Sequence, residues 1–405
     1  MLDVYRNNEA FGKEEICMKK VLLVVGYKTI NYGSILQAYA TQKLFEKVGV
    51  SVDILNLEIL WPMTRKQRVI FYLRNGGIHN LFARKGGVYF SKVLRRFNKT
   101  YNTNYAHRIS EFNAYVNKYL KLTDGVKNWD EASILARKYD AVVIGSDQVW
   151  VPSSVITDIY TLAFASDGQT KIAYAPSFGL NKIPRKFWGK YKEMLKSFDA
   201  ISIREKSGAE LIKEIAGVNC EVVADPVYMI DKGEWLDMVP DKILFNEPYI
   251  FVYLLGNNRW QRDFIAEYSK FCGIKTVALI HLDQYIGYDE CYYDKKLMDA
   301  APSDFLNLIR HAELIFTDSF HCMSFSIIEN KEFYIFKRYK DNLKESTNSR
   351  LYSLFNLLHI DWDRMLTEIS DVEEIGKKKL NYDEINCFFG EMQDSSWEFI
   401  EKAVR

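Results

Sequence analysis

The chain has no apolar run long enough to cross a bilayer. Its longest stretches, Val21 to Val25 and Tyr249 to Leu255, fall far short of the roughly 18 residues that a spanning helix needs. Paired cysteines are missing as well: the six present, at positions 17, 220, 272, 291, 322 and 387, are scattered with no C-x-x-C pair. That usage points to reduced intracellular thiols and away from a disulfide framework or a zinc site. Surplus charge of either sign is absent, the formal net charge being +1, which speaks against general nucleic-acid binding. Lys19-Lys20 before the first apolar run imitates a signal peptide, but Gly26-Tyr27-Lys28 ends that run too soon and no small-residue cleavage site follows. Cytoplasmic residence is the expectation.

Acidic residues are absent from one region. Residues 61–101 carry ten Lys or Arg and no Asp or Glu, interleaved with Trp61, Phe71, Tyr72, Phe82, Tyr89, Phe90 and Phe97. Rings that enter a headgroup boundary while cations meet anionic lipid have this composition, so peripheral contact with the inner face of the cell membrane is one reading. A solvated basic insertion covering the domain is the other.

With 405 residues and 48% apolar content, the chain can bury more than one core. Short apolar runs alternate with helical patterns, the signature of parallel sheets with crossover helices. Expected strands are Val21–Gly26, Val52–Leu55, Ala141–Ile144, Ile172–Ala175, Ala200–Ile203 and Glu221–Val223, then Tyr249–Leu255, Lys275–Ile280, Glu313–Phe316 and Phe333–Phe336. The organisation expected is a tail at 1–17, an N-terminal α/β domain at 18–234 and a connection at 235–248. A C-terminal α/β domain at 249–370 follows, then terminal helices at 371–405 packing back on the N-terminal half. Two such sheets face each other across a cleft.

Chemistry gathers just after the strands. Thr317-Asp318-Ser319-Phe320-His321-Cys322 follows the apolar run Leu314-Ile315-Phe316 and leads into a helix, so a titratable imidazole lies where free N–H groups and the helix dipole favour an anion. An ordinary N-cap at Ser319 or Asp318 explains the same residues. Asn31-Tyr32-Gly33-Ser34 joins the first strand to the first helix and can present N–H groups to a phosphate or sugar. Gly145-Ser146-Asp147-Gln148-Val149-Trp150 offers a carboxylate and an amide for hydroxyls and an indole for a ring face, although Asp147 can also cap a helix. Arg204 emerges after Ile201-Ser202-Ile203, its fork suited to a carboxylate or phosphate or to a pair with Glu205.

In order and spacing, these segments resemble the polysaccharide pyruvyl transferases. The resemblance runs from about Lys20 to Leu358 and rests on Asn31-Tyr32-Gly33-Ser34-Ile35-Leu36-Gln37-Ala38-Tyr39, Gly145 to Trp150, Ser177-Phe178-Gly179, Ser202-Ile203-Arg204-Glu205, Ala224-Asp225-Pro226 and Thr317 to His321. It implies two Rossmann-like domains facing across a cleft, the glycosyltransferase B type. It also implies phosphoenolpyruvate as donor and a sugar of a lipid-linked surface glycan as acceptor. Family members hold the donor with an Arg matching Arg204 and an Asp-Arg-Leu-His motif whose His falls at His321. Here Ser319 and Phe320 replace the Arg and Leu, and Cys322 stands where Gly is usual. Arg350 is the candidate replacement cation, ahead of Lys337 and Arg338.

Ketal formation from an enol phosphate needs a proton on C3, attack by a hydroxyl at C2, loss of phosphate and closure by a second hydroxyl. On this reading His321 gives the first proton as a partly charged imidazole, and Asp147 or Asp318 accepts the sugar proton. Arg204, Ser319, Phe320 and Arg350 bind the donor, while Asn31, Tyr32, Gly33, Ser146, Gln148 and Trp150 bind the acceptor. No metal or cofactor is required. The competing readings are a nucleotide-sugar-dependent glycosyltransferase, since one architecture hosts both, and a non-catalytic, membrane-docked scaffold of glycan assembly.

Overall fold

A computed structural model describes residues 18–58, 91–94, 96–156, 158–282, 285–339 and 348–405. The 1–17 tail and the 61–90 part of the basic segment lie outside the described residues. The N-terminal half builds a sheet from β1 (Lys20–Val24), β2 (Ser51–Ile54), β3 (Ala141–Ile144), β4 (Thr170–Ala173), β5 (Ala200–Ile203) and β6 (Glu221–Val222). Its order is β2-β1-β3-β4-β5-β6, every pairing parallel, with Val21 opposite both Val52 and Ala141. The second sheet uses β7 (Tyr249–Tyr253), β8 (Lys275–Leu279), β9 (Lys295–Leu297), β10 (Leu314–Thr317), β11 (Phe333–Phe336) and β12 (Met365–Leu366), in the order β12-β11-β10-β7-β8-β9, also parallel throughout. Central strands β3, β7, β10 and β11 are buried along their whole length, which is why they read as unbroken apolar runs. The short edge strands β9 and β12 had no such run to announce them: two lysines make up most of β9, a composition that protects an exposed edge.

The halves are joined by more than a linker. Helix Tyr32–Lys47 is buried on nearly every side because it lies between the halves. Its Tyr32 ring stacks on Phe305 at 5.1 Å and meets Phe112 edge-on at 4.9 Å, and its hydroxyl donates to Ala300 O at 2.7 Å. Helix Lys99–Tyr119 also crosses over: Arg108 donates to Ile280 O at 2.7 Å and Tyr101 to Leu282 O at 2.9 Å. The start of the expected connection is packed structure, since Trp235 belongs to helix Lys232–Met238, is fully buried, and meets Phe325 edge-on at 5.0 Å. Helix Tyr382–Val404 returns to the N-terminal half, where Ser396 accepts from Ala224 N at 2.8 Å and Phe399 packs on Tyr174. One apolar core therefore draws on both halves, with a second core behind each sheet.

Among the described residues no helix is long and apolar enough to cross a membrane, and no three His, Cys, Asp or Glu side chains gather as a metal would require. Tyr32→Phe removes a buried hydroxyl and orphans the Ala300 carbonyl. It is expected to lower unfolding stability by about 1 kcal/mol, read by urea denaturation; unchanged stability would show that the hydroxyl does not help to bind the halves.

Candidate functional site

In a doubly wound sheet, ligands sit at the carboxyl ends of strands where the strand order reverses. In the first sheet that point lies between β1 and β3, in the second between β10 and β7. The β1 and β3 ends are forced close: a Cβ on Gly145 would lie 2.4 Å from Val25 Cγ1. Beyond them come Asn31 to Ser34 and Ser146-Asp147. Beyond β10 comes Ser319, which caps helix Phe320–Ile328, its Oγ accepting from Cys322 N at 3.4 Å. The two reversal points meet at Gly33, where a Cβ would come within 2.3 Å of His321 Nδ1. Only glycine lets the first helix lie against the imidazole.

Around His321 the charges are few and shared. Arg204, from the end of β5, donates Nη1 to Asp225 Oδ2 at 2.6 Å; its Nη2 stands 3.6 Å from Asp147 Oδ1 and its Nε 3.8 Å from Glu205 Oε2. Ser146 Oγ donates to the same Asp225 Oδ2 at 2.8 Å. Arg350, from helix Ser349–Leu357, places its Cζ 5.4 Å from the Phe320 ring, against which Arg204 lies at 4.7 Å. Gln148, its amide oxygen turned to Arg350, accepts from Nη2 at 2.7 Å and Nη1 at 2.5 Å. Among the described residues His321 Nε2 is buried without a hydrogen bond, 3.9 Å from Asp225 Oδ2, and Arg204 Nε and Nη2 are likewise buried without one. Three nitrogen atoms without hydrogen bonds, together with Glu205 Oε2, thus share one buried place, where buried polar groups are ordinarily bonded.

Electrostatics agree. Burial works against the Arg204 charge, yet Asp225, Asp147 and Glu205 together hold its value above the ordinary one. Arg350 shifts the other way: burial, then Arg204 and Arg338, outweigh Asp147 and Glu205 and push it down to about 9, still protonated at neutral pH. Burial tends to raise Asp147, but His321, Arg204, the Ser34 hydrogen bond (Oγ to Oδ2, 2.8 Å) and Arg350 hold it at about 2. His321 lies below its ordinary value, chiefly through burial, helped by Arg204 and Arg350 and opposed by Asp225 and Asp147. The charged imidazole is therefore disfavoured here, whereas the sequence reading expects a partly charged one; a further anion placed beside it would act against that shift.

The structure brings together His321, Arg204, Arg350, Asp147, Gln148, Ser146, Ser319 and Phe320. It withdraws others from the roles expected of them. Asp318 is no free base: it accepts from Leu255 N at 2.8 Å and Gly256 N at 2.7 Å and pairs with Arg338, so it ties β10 to the loop after β7. Trp150 is fully buried against Phe178 and Phe198 and cannot stack on a sugar. Tyr32 is part of the packing between halves, Asn31 caps its helix through Ser34 N at 3.1 Å, and Ser146 is buried behind Asp225. Asp147, at about 2, is too weak a base to drive proton removal and suits anchoring a hydroxyl instead. Sequence reasoning gave Asp225 no role, although Asp225-Pro226 after the two-residue β6 places it where Arg204, Ser146 and His321 converge.

Gly33→Ala drives a methyl into the imidazole, so His321 is expected to move and its titration to shift toward the ordinary histidine value. NMR titration of the His321 ring checks this; an unmoved ring and unchanged midpoint would mean that the two halves can part without cost.

No curated protein sequence matches this chain. Among solved structures it is similar to UDP-GlcNAc 2-epimerase from Neisseria meningitidis bound to UDP-GlcNAc, at 12% identity over 93% of this chain and 99% of that one, with a TM-score of 0.45. It is also similar to Arabidopsis thaliana UGT89C1, at 10% identity over 95% and 98% with a TM-score of 0.49, and to Acinetobacter baumannii MurG, at 10% over 95% and 98% with a TM-score of 0.42. The family model of polysaccharide pyruvyl transferase matches residues 31–338, well over half of the 405 and inclusive of every segment that lines the cluster except the helix carrying Arg350, and the chain belongs to that family.

Proposed function

We propose that the protein transfers the pyruvyl group of phosphoenolpyruvate to a sugar of a surface-glycan intermediate as a ketal. One observation carries the reading: guanidinium groups from opposite halves lie on the Phe320 ring, beside a buried imidazole nitrogen that has no hydrogen bond among the described residues. A small, triply negative donor complements that set, its carboxylate and phosphate each finding a fork and the N–H groups at the start of helix Phe320–Ile328 adding donors. Arg350 supplies the cation that Ser319 no longer provides.

The steps balance with these groups alone. Donor charge raises the His321 affinity for a proton; the imidazolium then gives that proton to C3 as the C2–C3 double bond opens. The acceptor hydroxyl, held by Asp147, bonds to C2 and passes its proton to the now neutral His321. Phosphate leaves with the electrons of its C2–O bond, a second hydroxyl closes the ketal, and that proton departs with phosphate. Binding energy at Arg204 and Arg350 serves the chemistry as negative charge shifts onto the leaving phosphate.

Because donor binding lifts His321 from a depressed value, binding takes up a proton, and donor affinity falls as pH rises from the depressed value toward the raised one. Calorimetry in buffers of different ionisation enthalpy should show proton uptake by the wild-type protein exceeding that of His321→Gln near neutral pH. Equal uptake would remove His321 from the donor site.

Incubation with phosphoenolpyruvate and a panel of glycosides including methyl β-galactoside is expected to release phosphate matched by an acid-labile mass gain on the sugar. His321→Gln should lower turnover by roughly 100-fold, and Arg350→Ala should chiefly weaken donor binding. Sugar transfer from a UDP-sugar with phosphoenolpyruvate left intact would overturn the reading in favour of glycosyl transfer.

A further inference from the structure

We propose that the Tyr160 hydroxyl and the Asp147 carboxylate form the subsite that grips the acceptor's hydroxyl groups, with Tyr160 as a specificity-determining residue. This deepens, and rests on, the pyruvyl-transfer reading of the adjoining cluster. Of the charged groups around His321, Asp147 is the one that reaches outward: its side chain is 21% exposed, against 1% for Arg204 and Asp225 and 8% for His321. Its backbone takes a left-handed φ of 85°, unusual for a residue with a side chain and tolerated where function requires it. Both carboxylate oxygens are fixed, Oδ2 by Ser34 Oγ at 2.8 Å and Oδ1 by Gln148 N at 2.8 Å, and each keeps a lone pair for a ligand.

The Tyr160 hydroxyl lies at the same β1–β3 junction, near enough for the Asp147 charge to act on it. A Cβ built on Gly26, just past the end of β1 and beside the β3 end that carries Asp147, would come 3.6 Å from the Tyr160 hydroxyl. Among the described residues that hydroxyl has no hydrogen-bond partner. The turn that carries it is held firmly all the same. Asp158 and Leu162 flank it with φ of 58° and 55°; Lys190 pairs with Asp158 at 2.5 Å; and the buried Trp150 donates its indole N–H to Tyr160 O at 3.1 Å. Two non-glycine left-handed residues in one short turn store strain, and what the turn presents for that strain is an unused phenol. Trp150 thus serves the sugar site from behind, by placing Tyr160.

The chemistry of the pair selects its ligand. Burial and then the Asp147 charge push Tyr160 up to about 12, so it stays an O–H donor, whereas Asp147 at about 2 is purely an acceptor. A rigid donor beside a rigid acceptor matches neighbouring sugar hydroxyls, one accepting and one donating, and the ring adds an apolar surface for the sugar's C–H face. Asp147 stands 3.6 Å from Arg204, so a hydroxyl held there is adjacent to the donor site.

Tyr160→Phe removes only an unbonded hydroxyl, so thermal stability and the phosphoenolpyruvate-induced shift in Tm should match wild type. Saturation-transfer NMR with methyl glycosides of glucose, galactose, mannose and N-acetylglucosamine is expected to show binding by the wild-type protein that weakens roughly tenfold in Tyr160→Phe, the loss of about one hydrogen bond. Equal affinity in both proteins, or no glycoside binding to wild type, would overturn the proposal. Glycoside binding that weakens in Tyr160→Phe, without any phosphoenolpyruvate shift in wild type, would uphold the subsite and remove the donor assignment instead.

Discussion

Two guanidinium groups held against one aromatic ring, away from water, set the terms for the rest of this molecule. Like charges at that separation repel strongly once solvent is excluded, and the fold compensates them unequally. Arg204 has Asp225 at 2.6 Å and two further carboxylates nearby, and its charge is held more firmly than in water. Arg350 donates to the Gln148 amide, and burial with the neighbouring guanidinium groups pushes it down to about 9. That inequality is what the proposed donor site draws on, since an anion placed between the two groups would favour the charged form of both.

Such a cluster exists only while the halves are closed. Arg204, Asp147 and Asp225 come from the first sheet, Phe320, His321 and Arg350 from the second, and helix Tyr32–Lys47 sits at the join. That helix does three things in its first turn: Tyr32 stacks between the halves, Gly33 admits the imidazole, and Ser34 fixes Asp147. The Asn-Tyr-Gly-Ser motif is therefore a joint, and its residues act on the chemistry by placing His321 and Asp147.

Much of this was legible in advance. Central strands could be read within a residue or two because strands buried on both faces are unbroken apolar runs, whereas β9 and β12 escaped because an edge of two or three residues has no periodicity to detect. The cluster members Arg204, His321, Asp147 and Arg350 were found because each follows a strand or opens a helix, where side chains at carboxyl ends project toward a crevice. Trp150 and Asp318 were misjudged for one reason: an indole or a carboxylate beside a strand end looks the same in sequence whether it faces the ligand or the backbone behind it. Burial decided the first and two N–H donors decided the second.

By itself the sequence determined the alternation of strands and helices, the two sheets, and the set of charged and polar residues at their ends, since these follow from local pattern and backbone geometry. Tertiary structure alone decided which of those groups keep their charge, which are consumed by capping and packing, and that Trp150 is buried while the Tyr160 hydroxyl lies at the end of β1. Those outcomes depend on distances between segments far apart in the chain and on how much water is excluded between them, and neither quantity is written in any local run of residues.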